Sequence, residues 1–312
     1  MDKFQMIRIA KLYYELDKTQ KEIAEMENIS RSKVSRILTR AKDKGLIELR
    51  VKVSHGSVYN LERELINKFA LKAAIITPVI INNENIILKE IGQAAGEFLI
   101  DIVSDEDILG VSWGTTMSYV ADNLPENDIK GVKIVQLNGG MSHSKLSTTS
   151  NTIVREFVQA FEGHPYLMPV PAIVDSKKIV DCLMGDRKIN HIFSLCKKAR
   201  VAIFGIGYFS KKSVLYKAGY FEGDNSFEQL EKSGAVGDVI ARYFDINGKI
   251  CNKELNNRTI GVSLADLRKT EYSIGVASGD EKIEAIIGAL SGGYINTLIT
   301  DENTARQILD FE

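Results

Sequence analysis

Four short polar clusters carry the residue types that could bind an anion and its neighbouring hydroxyls. In the first, Gly110-Val111-Ser112-Trp113-Gly114-Thr115-Thr116, an apolar strand runs into a Gly/Ser/Thr turn that opens a helix. Backbone N–H groups at a helix N-terminus, joined by the Thr115 and Thr116 hydroxyls, make an anion site. Leu137-Asn138-Gly139-Gly140 again ends a strand in small polar residues. Gly237-Asp238 offers a carboxylate that can accept from two hydroxyls, although Arg242, four residues on, could instead pair with it along a helix. Ser278-Gly279-Asp280-Glu281-Lys282 is a loop opening a helix, with a lysine able to reach a phosphate. The candidate ligand-binding residues are therefore Ser112, Gly114, Thr115, Thr116, Asn138, Gly139, Gly237, Asp238 and Lys282.

The segment Gly110–Gly114 also fits the G-x-S-x-G nucleophile elbow of hydrolases. A serine hydrolase would need an acid and then a histidine downstream. Asp175 or Asp186 followed by His191 satisfies that order formally. No histidine follows His191, however, and no HGGG-type oxyanion motif is present. A plain tight turn is the other alternative. His143, in the polar run 142–144, reads as a loop residue, and no catalytic residue is assigned. Cys182, Cys196 and Cys251 are odd in number and widely spaced. They suggest neither a metal site nor a disulfide framework, which fits a reducing cytoplasm. No cofactor is implied.

A second constellation lies near the N-terminus. Residues 1–53 hold 13 Lys/Arg against 8 Asp/Glu, a balance of +5, whereas the remainder holds 27 against 33, a balance of −6. A basic block on an acidic body suits a nucleic-acid-binding head on a regulatory domain. The order of residues strengthens this reading. Met6, Ile9, Leu12, Tyr13 and Leu16 have helical spacing over residues 4–16. Thr19 and Glu22 have the spacing of a capping box before a short helix with Ile23, Ala24 and Met26 on its inner side. Asn28-Ile29 breaks that helix, Ser30 caps the next, and Gly45 ends it.

Two capped helices around a tight break form a helix-turn-helix. Val34, Ile37, Leu38 and Ala41 make the buried stripe of its second helix. Arg31, Ser32, Ser35, Arg36, Thr39 and Arg40 are left outside, where Arg forks can meet guanine edges and hydroxyls can meet phosphates. The expected DNA-binding residues are Gln20, Ser30, Arg31, Ser32, Lys33, Ser35, Arg36 and Arg40, and the partner is double-stranded operator DNA. Residues 46–53 read as a strand, a small wing beside the groove. A three-helix bundle used for protein contacts is the alternative.

Domain organisation follows from these elements: 1–53 a helix-turn-helix domain, 54–60 a linker, and 61–312 a ligand-binding and oligomerisation domain. Strands are expected at 73–77, 108–112, 132–137, 167–170, 201–205, 273–277 and 296–300. Helices are expected near 86–103, 115–123, 150–162, 188–198, 281–290 and 302–310. Strand–helix alternation predicts an α/β fold with a mainly parallel sheet, whose ligands bind beyond the carboxyl ends of the strands. No apolar run approaches the roughly 20 residues needed to cross a bilayer, so no membrane partner is expected. The start Met1-Asp2-Lys3 soon becomes an amphipathic helix and does not read as a signal peptide.

Together these motifs carry a resemblance. Gln20–Ala24, Ile29–Leu38 and Ala41–Ile47 resemble the N-terminal domain of SorC-type bacterial transcription regulators. The stretches 110–116, 135–140, 235–251, 257–268 and 288–305 resemble their effector domain, so the likeness covers nearly the whole chain. It is strongest towards the deoxyribonucleoside regulator branch. The resemblance implies an effector domain with Rossmann-like layers, akin to sugar-phosphate isomerases and deaminases but used for sensing, beside a small all-α, winged helix-turn-helix domain. It also implies a homo-dimer or homo-tetramer that represses a catabolic operon until a phosphorylated sugar releases it.

By the same resemblance Gly114, Thr115 and Thr116 would hold the phosphate with help from Lys282, and Asp238 would meet sugar hydroxyls. Asn138 departs from the pattern. Relatives in this branch can place a lysine there, able to form a Schiff base with an aldehyde, whereas asparagine can only hydrogen-bond. A non-covalent effector follows, with deoxyribose 5-phosphate the first candidate. The rival reading is a sugar-phosphate isomerase or deaminase with an appended DNA-binding head and Asp238 as its base.

Overall fold

Thr19 and Glu22 close the expected capping box: the Glu22 carboxylate accepts the Thr19 N–H at 2.8 Å, and the Thr19 hydroxyl accepts the Glu22 N–H at 3.3 Å. This comes from a computed structural model that describes residues 3–47, 58–140, 150–221 and 225–311. The chain divides into two compact units, Met1–Ser54 and His55–Glu312. Residues 48–57, most of the expected wing strand and the first part of the expected linker, lie outside the described residues, as does His143; the linker's last residues, Tyr59 and Asn60, already belong to a helix.

The first unit holds α1 (Lys3–Tyr14), α2 (Gln20–Met26) and α3 (Arg31–Asp43). Asn28, at φ +52°, makes the sharp break between α2 and α3, a conformation its short polar side chain tolerates. Ser30 then accepts the Lys33 N–H and starts α3. Met6, Ile9, Leu12, Ile23, Val34, Ile37 and Ala41 pack into a core of this unit's own. Two expected apolar contacts are absent. Leu16 lies beyond the end of α1 and is 62% exposed, and Met26, the last residue of α2, is 55% exposed.

The second unit begins with α4 (Tyr59–Phe69), β1 (Ala73–Thr77), α5 (Glu84–Ile102), β2 (Ile108–Val111), α6 (Thr115–Asp122), β3 (Lys133–Gln136), α7 (Ser150–Ala160) and β4 (His164–Tyr166). It continues with α8 (Lys177–Gly185), α9 (Arg187–Lys198), β5 (Val201–Tyr208), α10 (Val214–Lys217), α11 (Ser226–Lys232), β6 (Gly237–Val239) and β7 (Arg242–Phe244). Then come α12 (Lys253–Arg258), α13 (Leu264–Leu267), β8 (Tyr272–Val276), a 3-10 turn (Asp280–Lys282), α14 (Ile283–Ser291), β9 (Thr297–Asp301) and α15 (Glu302–Asp310).

Seven strands run parallel in the order β1-β9-β8-β5-β2-β3-β4, while hairpin β6–β7 pairs antiparallel with the end of β5. The near-continuous apolar strands are buried from both sides, as a parallel sheet requires. One core cluster contains Leu65, Phe204, Phe244 and Ile286, a second contains Ile91, Met117, Phe157 and Ile203, and a third contains Leu215, Phe221, Phe227 and Tyr243. From β2 the chain winds outward to β3 and β4, and from β5 it winds the other way to β8 and β9. The crevice beyond β2 and β5 is therefore a topological switch point, where such sheets bind ligands.

Residues 167–170 are not a strand. The ladder to β3 uses His164–Tyr166 instead; the Met168 N–H is taken by the Gln136 side chain, and pairing resumes only as an isolated bridge between Gly140 and Pro171. Helices α8 and α10–α13 and hairpin β6–β7 also lie outside the elements expected from sequence.

Candidate functional site

The first unit offers one helical face. Val34, Ile37, Leu38 and Ala41 turn inward on α3, which leaves Arg31, Ser32, Lys33, Ser35, Arg36, Thr39 and Arg40 exposed. Ser30 is also exposed, although its hydroxyl is engaged in capping. Gln20 is half-buried at the first position of α2. Arg31, Lys33, Arg36 and Arg40, with no acid before Asp43, present a surface suited to DNA phosphates and guanine edges.

In the second unit a cavity of about 340 Å³ opens at the switch point. Ser112, Gly114, Thr115 and Thr116 reach it from the end of β2 and the start of α6, Asn138 from the end of β3, Asp238 from β6, and Lys282 from the turn after β8. Gly114, at φ +136°, caps α6 in a backbone conformation that side chains disfavour, which aims the first N–H groups of the helix at the cavity. The Lys282 Nζ donates to the Thr116 hydroxyl at 3.4 Å. Its loop is braced from behind by α15. The Gly279 N–H donates to the Thr304 hydroxyl at 2.9 Å, and Asp301 in turn accepts the Thr304 hydroxyl.

Asp238 reaches the same cavity from β6. Its carboxylate accepts the Ala241 N–H at 3.0 Å, inside hairpin β6–β7. Burial pushes its pKa up to about 6, against the pull of the Ala241 N–H and the Lys282 cation. Burial likewise lowers the pKa of Lys282, opposed by Glu281, Asp238 and Glu84. A cation with four-carbon reach and a carboxylate close to its titration point thus share one cavity.

Arg242 does not pair with Asp238 along a helix. The two lie on neighbouring strands, and the Arg242 guanidinium donates to oxygens of Asn256, Thr259, Gly261 and Val262. Gly139 and Gly237, expected to bind ligand, do not line the cavity; both are sites of close packing. A Cβ on Gly139 would come within 2.2 Å of the Pro171 oxygen, and one on Gly237 within 2.4 Å of the Gly207 oxygen. Glu84, Tyr208, Lys212, Ser213 and Lys217 line the cavity without having been singled out from sequence. The run Lys211-Lys212-Ser213 follows the carboxyl end of β5, which was the available signal. Among the described residues no hydrolase triad forms around Ser112. Asp186 caps α9, while His191 packs its ring against Tyr166 and does not line the cavity.

A cleft at a parallel-sheet switch point, lined by hydroxyls, a lysine and a buried carboxylate, suits a small polar ligand, and the basic α3 face suits DNA. Comparison with known proteins supports both parts. A sugar-binding domain family (Sugar-bind) matches residues 55–310, and a Crp-like helix-turn-helix domain matches residues 7–63. The chain is 40% identical over 304 residues to the deoxyribonucleoside regulator of Bacillus subtilis, covering 97% of this chain and 96% of that protein. It is 32% identical to the sorbitol operon regulator of Klebsiella pneumoniae, covering 97% of each. The crystal structure of full-length SorC from Klebsiella pneumoniae superposes with a TM-score of 0.78 at 31% identity, covering 99% of both chains.

The chain belongs to the SorC family of sugar-binding transcription regulators. It is a DNA-binding, sugar-sensing regulator, and the relatives and neighbours it matches are named as regulators rather than enzymes. No helix among the described residues is long and apolar enough to cross a membrane.

Proposed function

We propose that the chain represses a catabolic operon for a sugar or deoxyribonucleoside and leaves its operator when a phosphorylated sugar binds non-covalently in the cavity. Deoxyribose 5-phosphate is the proposed effector; the 40% identity to a deoxyribonucleoside regulator supports it. The reading rests chiefly on one observation: Lys282 meets Thr116 at the N-terminus of α6, in the cavity that the buried Asp238 also lines. In this reading Gly114, Thr115, Thr116 and Lys282 hold the phosphate, with Ser112 beside them, and Asp238 and Asn138 take sugar hydroxyls.

Residues 1–53 read DNA through α3, the segment between residue 53 and α4 joins the domains, and the rest senses the effector and oligomerises. One helix-turn-helix reads only a short half-site, so a homo-dimer or homo-tetramer would place two across a palindrome. Thermal-shift measurements test the effector, since a ligand that binds the folded state raises its apparent stability. Deoxyribose 5-phosphate should raise the melting temperature and release operator DNA, and Thr115→Ala should weaken both effects. An equal shift from unphosphorylated deoxyribose would sink the phosphate assignment.

A further inference from the structure

Beyond residue 53 the chain is acidic, with 27 Lys/Arg against 33 Asp/Glu, so its overall field opposes an anionic ligand. One stretch at the cavity runs the other way. Phe209–Phe221 follows the carboxyl end of β5 and holds three lysines and no acid. Lys212 and Lys217 line the cavity and are exposed, and among the described residues no carboxylate pairs with either. Being both exposed and part of the lining, they stand where the cavity meets solvent. Lys282 differs: its Nζ bonds the Thr116 hydroxyl, and the charges of Glu281, Asp238 and Glu84 act on it. The lysine-bearing stretch is also fixed in place. The Phe209 N–H donates to the Val236 oxygen at 2.9 Å, Leu215 is buried in the cluster with Phe221 and Phe227, and the Tyr220 hydroxyl donates to the Gly140 oxygen at 2.8 Å.

We propose that Lys212 and Lys217 form an electrostatic entrance that draws anionic ligands into the cavity and leaves neutral sugars unassisted. The inference rests on the effector reading above and deepens it, since it concerns how a phosphorylated ligand arrives rather than what holds it. Salt screens charges beyond about 8 Å at physiological ionic strength, so distant carboxylates count for little at the mouth and the nearest cations set the local potential. Such a field raises the rate of encounter and leaves the rate of escape mainly to buried contacts. A division of labour follows: Lys212 and Lys217 govern association, and Lys282 governs dissociation.

Trp113, the single tryptophan of the full chain, lines the cavity and packs against the cluster that holds Leu215, so its fluorescence reads the potential there without any effector. Iodide, acrylamide and caesium quench it as anionic, neutral and cationic probes. At constant ionic strength, iodide quenching relative to acrylamide should fall roughly twofold in Lys212→Gln/Lys217→Gln, and caesium quenching should rise. Lys211→Gln is the control, because Lys211 lies over the Phe227 ring, 6.0 Å from its centroid, and does not line the cavity. It should change neither ratio. Stopped-flow mixing with deoxyribose 5-phosphate should show association slowed about threefold to tenfold in the double variant, with dissociation within about twofold of wild type. An unchanged iodide-to-acrylamide ratio, or an equal change in Lys211→Gln, overturns the proposal. A loss of affinity that lies wholly in dissociation overturns it too, since the two lysines would then be direct ligand contacts. If the double variant fails to fold, the single variants take its place. If no sugar phosphate binds wild type, the effector reading falls, and the quenching ratios still decide this proposal.

Discussion

Asp238 accepts the backbone N–H of Ala241 at 3.0 Å across the tip of hairpin β6–β7. The two residues that make the tip, Ile240 and Ala241, hold φ of +55° and +60°. A two-residue turn of this kind normally uses Asn-Gly or Asp-Gly, because side chains disfavour positive φ. For a β-branched isoleucine the conformation is a genuine outlier. Both residues line the cavity. The carboxylate therefore clamps a strained turn in the wall of the cavity.

Asp238 should make the effector domain pH-sensitive. Its folded pKa is raised from about 4 to about 6, so the folded state binds the proton more tightly than the unfolded state. Stability from this group is then present below about pH 4, declines as pH rises to about 6, and is flat above that. Melting curves at pH 4.5, 5.5 and 7 should show the decline, roughly 1–3 kcal/mol in all. Asp238→Asn should lack it, and an identical slope in the variant would contradict the assignment. Effector affinity should move the other way in wild type, falling below about pH 6 as the acceptor becomes protonated.

Lys282→Gln should separate the two ends of the ligand. If Lys282 holds the phosphate as proposed, losing its charge removes a charge-assisted contact, so affinity for a sugar phosphate should fall roughly tenfold to a hundredfold. The weak affinity for the unphosphorylated sugar should barely change. Calorimetric titration of both ligands checks this.

Arg31→Ala/Arg36→Ala should abolish measurable operator retention at moderate salt while leaving the fold intact, since both side chains are exposed and outside the core of the first unit. Arg contacts to phosphate and guanine together account for about 1–3 kcal/mol each. The residual binding should also depend less steeply on salt. Gel-shift titrations across salt concentrations, with circular dichroism for folding, read out both effects.

Gly237→Ala tests a packing role against a ligand role. A methyl there would meet the Gly207 oxygen and the Ala285 Cβ, each at 2.4 Å, so the chain must shift. Overpacking of this kind costs about 1–3 kcal/mol. The ligand-free variant should melt lower by several degrees. A normal melting temperature with lost effector response would show instead that Gly237 contacts ligand.

The two constellations were legible from sequence to different degrees, and the reason is the range of the interactions involved. The helix-turn-helix is built from contacts three or four residues apart: the Thr19–Glu22 box, the Ser30 cap, the Val34–Ala41 stripe. Local spacing alone determined these, and with them the outward face of α3. It also determined that β2, β3 and β8 end in polar turns. It overreached at Leu16 and Met26, since an apolar residue at helical spacing is buried only where another element comes to cover it.

Tertiary structure decided which of those ends converge. Ser112, Asn138 and Lys282 meet because β2 and β5 flank the switch point and β3 and β8 lie next to them, a strand order that no local pattern encodes. Hairpin β6–β7 stayed hidden because Ile240-Ala241 carries no turn signature; its positive φ is imposed by pairing with β5 and by the Asp238 clamp. Gly139 and Gly237 looked like ligand-approach glycines, and only the neighbouring backbone shows that their missing Cβ makes room for protein. The sequence by itself thus determined the chemistry on offer, while long-range pairing decided which groups face one another across the cavity.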